Sequence, residues 1–205
     1  MRQHLQRVSI RSSSMKFNKL FCLPIILFSF YSLAVENKLI EECETCHGEN
    51  GVSTNSTIPI ISGLAAVNIE DAFSMYKDGE REAKDIDGND MTKVANSLSE
   101  QEVSDISLYY SHKLFKTPNQ VYDKTLVNAG KKIHLAKCDI CHSEGGTLAD
   151  DETLILAGQW TPYLRESINS FINGERYGDD TMVEELQALS EKHIEALLAY
   201  YASLK

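Results

Sequence analysis

Toward the end of the chain, apolar side chains recur at Ile194, Leu197, Leu198 and Tyr201, the spacing of an amphipathic helix. Ser190-Glu191 precedes that stripe and Ser99-Glu100 precedes an earlier one. Each pair is a capped helix start, and the predicted helices run to about Ser203 and Ser111. Asn128 to Cys141 predicts another helix. Ile69 to Tyr76 and Tyr163 to Ile172 predict a matching pair of middle helices, each stopped near a glycine. Strand signals are absent, so the expected class is all-α. Lys116-Thr117-Pro118-Asn119-Gln120 interrupts the pattern, because proline cannot continue the preceding helix, and this is the expected linker.

The pattern is duplicated. At an offset of 95 residues, Gly63 meets Gly158, and Asp78-Gly79-Glu80-Arg81 meets Asn173-Gly174-Glu175-Arg176. Further on the offset falls to 91, as a loop deletion of four residues would produce. There Met91 meets Met182, Leu98-Ser99 meets Leu189-Ser190, and Tyr109-Tyr110 meets Tyr200-Tyr201. The expected division is a leader over 1–34, one domain over 35–117 and a second over 118–205. Units this small have thin cores unless a large apolar group completes them.

The leader rests on composition. Residues 1–34 hold Arg2, Arg7, Arg11, Lys16 and Lys19 and no acidic residue. An apolar run from Leu20 to Leu33 follows, closing on Ser32-Leu33-Ala34. That is the layout of a secretory signal peptide, cleaved before Val35, with Met15 an alternative start. A retained anchor is the weaker reading, because the run is short and Pro24 interrupts it. Removing the leader leaves 15 basic against 30 acidic residues, a formal charge of −15. Nucleic acid and anionic membrane surfaces are poor partners for such a chain, and no stable membrane insertion is expected after cleavage. A basic face on another redox protein is a good partner.

The chemistry sits in one pentapeptide that occurs twice: Cys43-Glu44-Thr45-Cys46-His47 and Cys138-Asp139-Ile140-Cys141-His142. Cys-X-X-Cys-His is the attachment site of a c-type haem. Cys43, Cys46, Cys138 and Cys141 are the expected thioether anchors, and His47 and His142 the proximal iron ligands. Once Cys22 leaves with the leader, every remaining cysteine lies in these motifs. The rivals are a zinc site, which needs converging ligand pairs, and a thioredoxin-like thiol pair, which needs alternating strands and helices. For the distal ligands, Met91 lies 44 residues after His47 and Met182 lies 40 after His142. Both fall in a polar loop before the last helix of their half. A thioether there raises the potential. Met75 lies within a predicted helix and is expected to be core. His112, His134 and His193 have no repeat equivalents and read as surface or helix-face residues. Asp85, Asp87, Asp90, Glu184 and Glu185 read as solvated faces, and Trp160 and the tyrosine pairs as aromatic core or pocket wall.

Tandem motifs of this length resemble the dihaem cytochromes c, cytochrome c4 among them. A narrower resemblance is to the cytochrome subunit of flavocytochrome c sulfide dehydrogenase. It is carried by Cys138 to Gly146, Leu148-Ala149-Asp150-Asp151-Glu152 and Leu156-Ala157-Gly158-Gln159-Trp160-Thr161-Pro162-Tyr163-Leu164. In the first half it is carried by Cys43 to Gly48, Tyr76-Lys77-Asp78-Gly79, and Met91 ahead of Leu98-Ser99. The resemblance implies two tandem class I cytochrome c domains related by a pseudo-twofold, two covalently bound haem c groups, and Met91 and Met182 as distal ligands. It also implies an FAD-containing flavoprotein partner that oxidises sulfide, so that this chain, a periplasmic electron carrier, does no bond chemistry itself. In related proteins the segment equivalent to Pro59–Gly63 lines the proximal side, where the Pro59 carbonyl would orient His47. Leu154 replaces that proline in the second half and leaves the role there open. The short lead-in before Cys43 departs from the family and puts the opening helix in doubt. The alternatives are a free cytochrome c4-like carrier to a terminal oxidase and, from another class, a haem enzyme or ligand sensor with an open iron position.

Overall fold

Local signals account for most of the helices. The computed structural model describes residues 38–86, 88, 90–149 and 153–205. The expected leader, Asp87 and the run 150–152 lie outside the described residues. Helix α1 covers 38–47 and so carries the whole first motif; an opening helix is present despite the short lead-in. It is followed by α2 (Ala66–Asp78), α3 (Met91–Ser97) and α4 (Glu100–Ser111). The second half holds α5 (Val127–Lys137), a single turn α6 (Ser143–Gly146), α7 (Thr161–Asn173), α8 (Asp180–Gln187) and α9 (Glu191–Ser203). The all-α class holds: no strand longer than an isolated bridge occurs among the described residues.

Ser99 and Ser190 each form a reciprocal capping box with the third helical residue, Glu102 and His193, which sets the starts of α4 and α9. Gly79 and Gly174 take left-handed conformations that end α2 and α7. Two expectations need correction. Helix α5 stops at Lys137, not at Cys141, because the Cys138 and Asp139 amides both donate to the His134 carbonyl, at 2.8 and 3.0 Å, and close the last turn. Met91 and Met182 sit in short helices rather than loops. Asp90 and Asp179 supply the side-chain caps that start them. Asp90 is therefore a cap, not simply a solvated acid.

The repeat governs the backbone after each motif. The Gly51 carbonyl accepts from the Ile61 and Ser62 amides, and the Gly146 carbonyl accepts from Leu156 and Ala157. Gly63 donates to Tyr110 and Gly158 to Tyr201 at 2.9 and 2.8 Å, tying each loop to the last helix of its half. One core gathers around Phe73, Val103, Ile106 and Tyr110, the other around Leu164, Ile194, Leu197 and Tyr201. Ile155 from the second half is buried in the first core, so the described part is one compact unit with two centres.

Between the halves, the Glu82 amide donates to the Glu175 carbonyl, and the Tyr177 amide donates to the Glu80 carbonyl. Under the 95-residue offset each bond is the image of the other, and Arg81 bridges its own equivalent Arg176. A contact that maps onto itself marks a twofold relation. A second junction is asymmetric. The buried Gln159 side chain accepts from the Ile60 amide at 3.0 Å and donates to the Ile60 carbonyl at 2.9 Å. The Trp160 indole donates to the Ser53 carbonyl at 3.0 Å. Gln159→Met keeps the volume but strands both polar groups of Ile60. The expected loss is about 2–4 kcal/mol, at ~1–2 kcal/mol for each of the two stranded groups, checked by thermal unfolding of the haem-loaded protein. The predicted linker is irregular but anchored, since Gln120 bonds the Thr161 amide and hydroxyl and the Gln159 carbonyl.

Two candidate haem sites

In the first site, helical pitch places Cys43 and Cys46 one turn apart with His47 directly after them. Cys43 and Met91 pack on the same core, from opposite ends of the first half's sequence. The His47 Nδ1–H donates to the Pro59 carbonyl at 2.9 Å, the contact that the family resemblance implies. A carbonyl only accepts, so that nitrogen carries the proton and Nε2 keeps its lone pair free for a metal. Burial pushes the His47 pKa down against the opposing Pro59 bond, and the Arg81 charge adds to the fall. The ring is a neutral donor oriented as an iron ligand must be.

In the second site the motif lies beyond α5. Its turn closes through the His142 and Cys141 amides onto the Cys138 carbonyl at 2.8 and 3.2 Å. Cys138 packs on the second core. The Met182 methyl and the Phe171 ring both crowd Gly178, where an added Cβ would come within 2.8 Å of each. All four thiols are free. Burial pushes Cys43 up to about 11 and raises Cys138 as well, the reverse of the lowered thiol a redox pair needs. Among the described residues, no three His, Cys, Asp or Glu side chains are gathered as zinc requires.

Between the sites lies a cluster that the sequence pattern did not single out. Arg81 and Arg176 flank the Tyr163 hydroxyl, which accepts from Arg81 at 3.2 Å, while Arg176 donates to the Ser167 hydroxyl at 2.6 Å. Arg81 stacks on Tyr76 and Arg176 on Phe171. Burial pushes the Tyr163 phenol up, but the two guanidinium groups outweigh it and the net shift is down. Arg176 is only 7 % exposed, its Nε has no hydrogen-bond partner, and neither arginine pairs with a carboxylate among the described residues. A porphyrin that brings its own propionates fits this donor set, just as the thiols and the oriented imidazole fit its vinyl groups and iron. The repeat of Gly-Glu-Arg at both places was the available signal.

His134 departs from expectation. It is 0 % exposed, enclosed by Tyr200 and Tyr201, and hydrogen-bonded at both ring nitrogens, so it is neither a surface nor a simple helix-face residue.

No protein-family model matches the chain. A cytochrome c-554(548) of Halomonas halodenitrificans is 35% identical over 74 residues, 35% of this chain and 84% of the relative. The chain belongs to the cytochrome c family. A cytochrome c4 of Azotobacter vinelandii is 27% identical over 180 residues, 79% of this chain and 84% of that protein. The reduced recombinant cytochrome c4 of Pseudomonas stutzeri superposes with a TM-score of 0.69 at 25% identity, covering 84% of this chain and 98% of the other. A thiosulfate dehydrogenase electron acceptor of Stutzerimonas stutzeri is 22% identical over 184 residues, 85% of this chain and 84% of that one. This cytochrome is thus of the dihaem, cytochrome c4-like kind, with two covalently bound haem c groups, and is an electron-transfer protein rather than an enzyme.

Proposed function

We propose that this cytochrome is a periplasmic relay that takes single electrons at one haem and releases them from the other. The carrying observation is the reciprocal bridge at Arg81 and Arg176, which holds two duplicated sites in one compact unit. In this reading the two lobes are 35–117 and 118–205, following a cleaved leader over 1–34. Cys43 and Cys46 anchor one haem, with His47 and Met91 as its axial ligands. Cys138 and Cys141 anchor the other, with His142 and Met182. The haem supplies a one-electron couple. The Pro59 carbonyl holds the His47 ring in register, Arg81 and Arg176 would neutralise haem propionates, and the aromatic cores would keep water away.

The finer reading makes this chain the haem subunit of an FAD-containing sulfide dehydrogenase. It is supported by the run from Leu148 to Leu164, by the acidic surface, and by the kinship with an electron acceptor of a sulfur-compound dehydrogenase. A free carrier to a terminal oxidase is the second reading. It is favoured by the cytochrome c4 relatives, and by Trp160 serving the junction between the halves rather than an outer face. Isolation from the native organism separates the two readings. A stable FAD-containing companion and reduction by sulfide through it support the first; a lone cytochrome oxidised by membranes supports the second. Carbon monoxide binding to the reduced native protein at neutral pH would reveal an open iron position and refute the relay as described.

A further inference from the structure

The two attachment motifs are held by different means. In the first, α1 runs unbroken through Cys43 to His47, so consecutive helical hydrogen bonds fix both thiols. In the second, regular helix ends at Lys137 and the motif occupies a turn. Such a turn has fewer backbone constraints and needs another device to hold its thiols.

His134 stands four residues before Cys138, in the last turn of α5. Its Nε2 lies 3.3 Å from an Asp139 carboxylate oxygen, inside the motif, and its Nδ1 lies 3.0 Å from the Tyr201 hydroxyl on α9. A carboxylate only accepts, so Nε2 carries the proton, Nδ1 accepts, and Tyr201 donates to it. The Tyr201 hydroxyl also lies against the Cys138 thiol, so the same side chain touches both the imidazole and the first cysteine of the motif. The His142 backbone lies against the same imidazole. A chain of contacts therefore runs from Cys138 through Tyr201 and His134 back to Asp139, closing a ring around the turn. The close crossing of α5 and α9 makes it possible: Gly130 meets Ala196 with no room for a Cβ.

The first half lacks this device. At the 95-residue offset Leu39 stands where His134 does, and Leu39 packs on the first core. Tyr110, the equivalent of Tyr201, has no imidazole partner, and Glu44, the equivalent of Asp139, bonds instead to the Asn50 amide at 2.7 Å.

We propose that His134 is the positioning residue of the second haem-attachment turn, pinning Cys138–His142 to α9 so that both thiols meet the porphyrin vinyl groups. The inference rests on the dihaem reading above. In attachment each thiol adds across one vinyl double bond. The S–H bond breaks, an S–C bond forms, the hydrogen goes to the other vinyl carbon, and no oxidant is needed. Misplacement of a reacting group costs on the order of tenfold or more in rate.

The test expresses the full chain with c-type haem-attachment machinery and counts covalent haem at each motif by peptide mass. Wild type should carry haem on both motifs; no adduct on either would sink the dihaem reading, independently of His134. His134→Leu, the first half's own solution, should lower occupancy of Cys138 and Cys141 about tenfold and leave Cys43 and Cys46 fully loaded. His134→Gln, which can still accept from Tyr201 and donate to Asp139, should restore most of the loss. Tyr201→Phe should reproduce the loss, which covers the case in which His134→Leu fails to accumulate. Normal loading of the second motif in His134→Leu or in Tyr201→Phe overturns the proposal. Equal loss in His134→Leu and His134→Gln overturns it too, because a role in core packing alone predicts that result.

Discussion

Replacing Met91 and Met182 by alanine, one at a time, is expected to lower the potential of one haem in each variant and to halve the near-infrared methionine–iron band. The double variant should lose the band entirely. The cause is electronic: a thioether stabilises ferrous iron, so a weaker or harder ligand in its place favours the ferric state. Axial ligation spans ~0.8 V among haem proteins, and loss of the thioether should account for a drop on the order of 100 mV or more. Redox titration followed in the visible region measures it. Both methionines hold equivalent places in the repeat, at the first turn of a short helix capped by an aspartate. Fixed in this way, they differ from Met75, which lies inside α2. A band that survived in the double variant would assign the sulfur to Met75, the remaining methionine beyond residue 34.

Gly130→Ala should have the largest effect on stability. A Cβ at that place would come within 1.9 Å of the Ala196 carbonyl oxygen and 2.7 Å of the Tyr200 side chain. These are a helix carbonyl and the Cβ of a buried tyrosine, both fixed by the α9 backbone, and neither can yield without separating α5 from α9. An inserted methyl in a packed core costs ~1–3 kcal/mol, and a backbone collision belongs at or above the top of that range. The same separation would carry Tyr201 away from His134 and Cys138, so the second haem motif should suffer more than the first. Thermal unfolding and haem counting at each motif would register both effects. The equivalent change at Gly79, where an added Cβ meets nothing within 4 Å, should cost only the strain of its left-handed backbone. A Gly130→Ala protein as stable as wild type would mean that the helices can slide apart without consequence.

The parts of the site that were legible in the sequence are those encoded within a few neighbouring residues. The duplicated Cys-X-X-Cys-His motif identifies the cofactor because thioether chemistry demands that spacing. Ser99 and Ser190 mark helix starts because a cap acts on amides two or three residues away. The Pro59 carbonyl is expected as the partner of His47 from the family resemblance, in which this segment lines the proximal side, and the bond is present. Misreadings arose where distant segments decide. His134 looked peripheral because it has no repeat equivalent, yet that asymmetry is what lets it serve a motif outside any helix. A further contact invisible along the chain is that of Trp160, whose indole bridges to Ser53, more than a hundred residues away.

Duplication, helix class, covalent haem and the candidate axial pairs are thus properties of the sequence by itself, because each depends on spacing along the chain. The tertiary structure alone decided that Arg81 faces Arg176 across a twofold, that Gln159 clasps Ile60, and that His134 is buried between α5 and α9. The physical reason is that a buried polar group is tolerated only where a partner arrives from elsewhere in the fold. The pattern along the chain does not specify which distant partner that is.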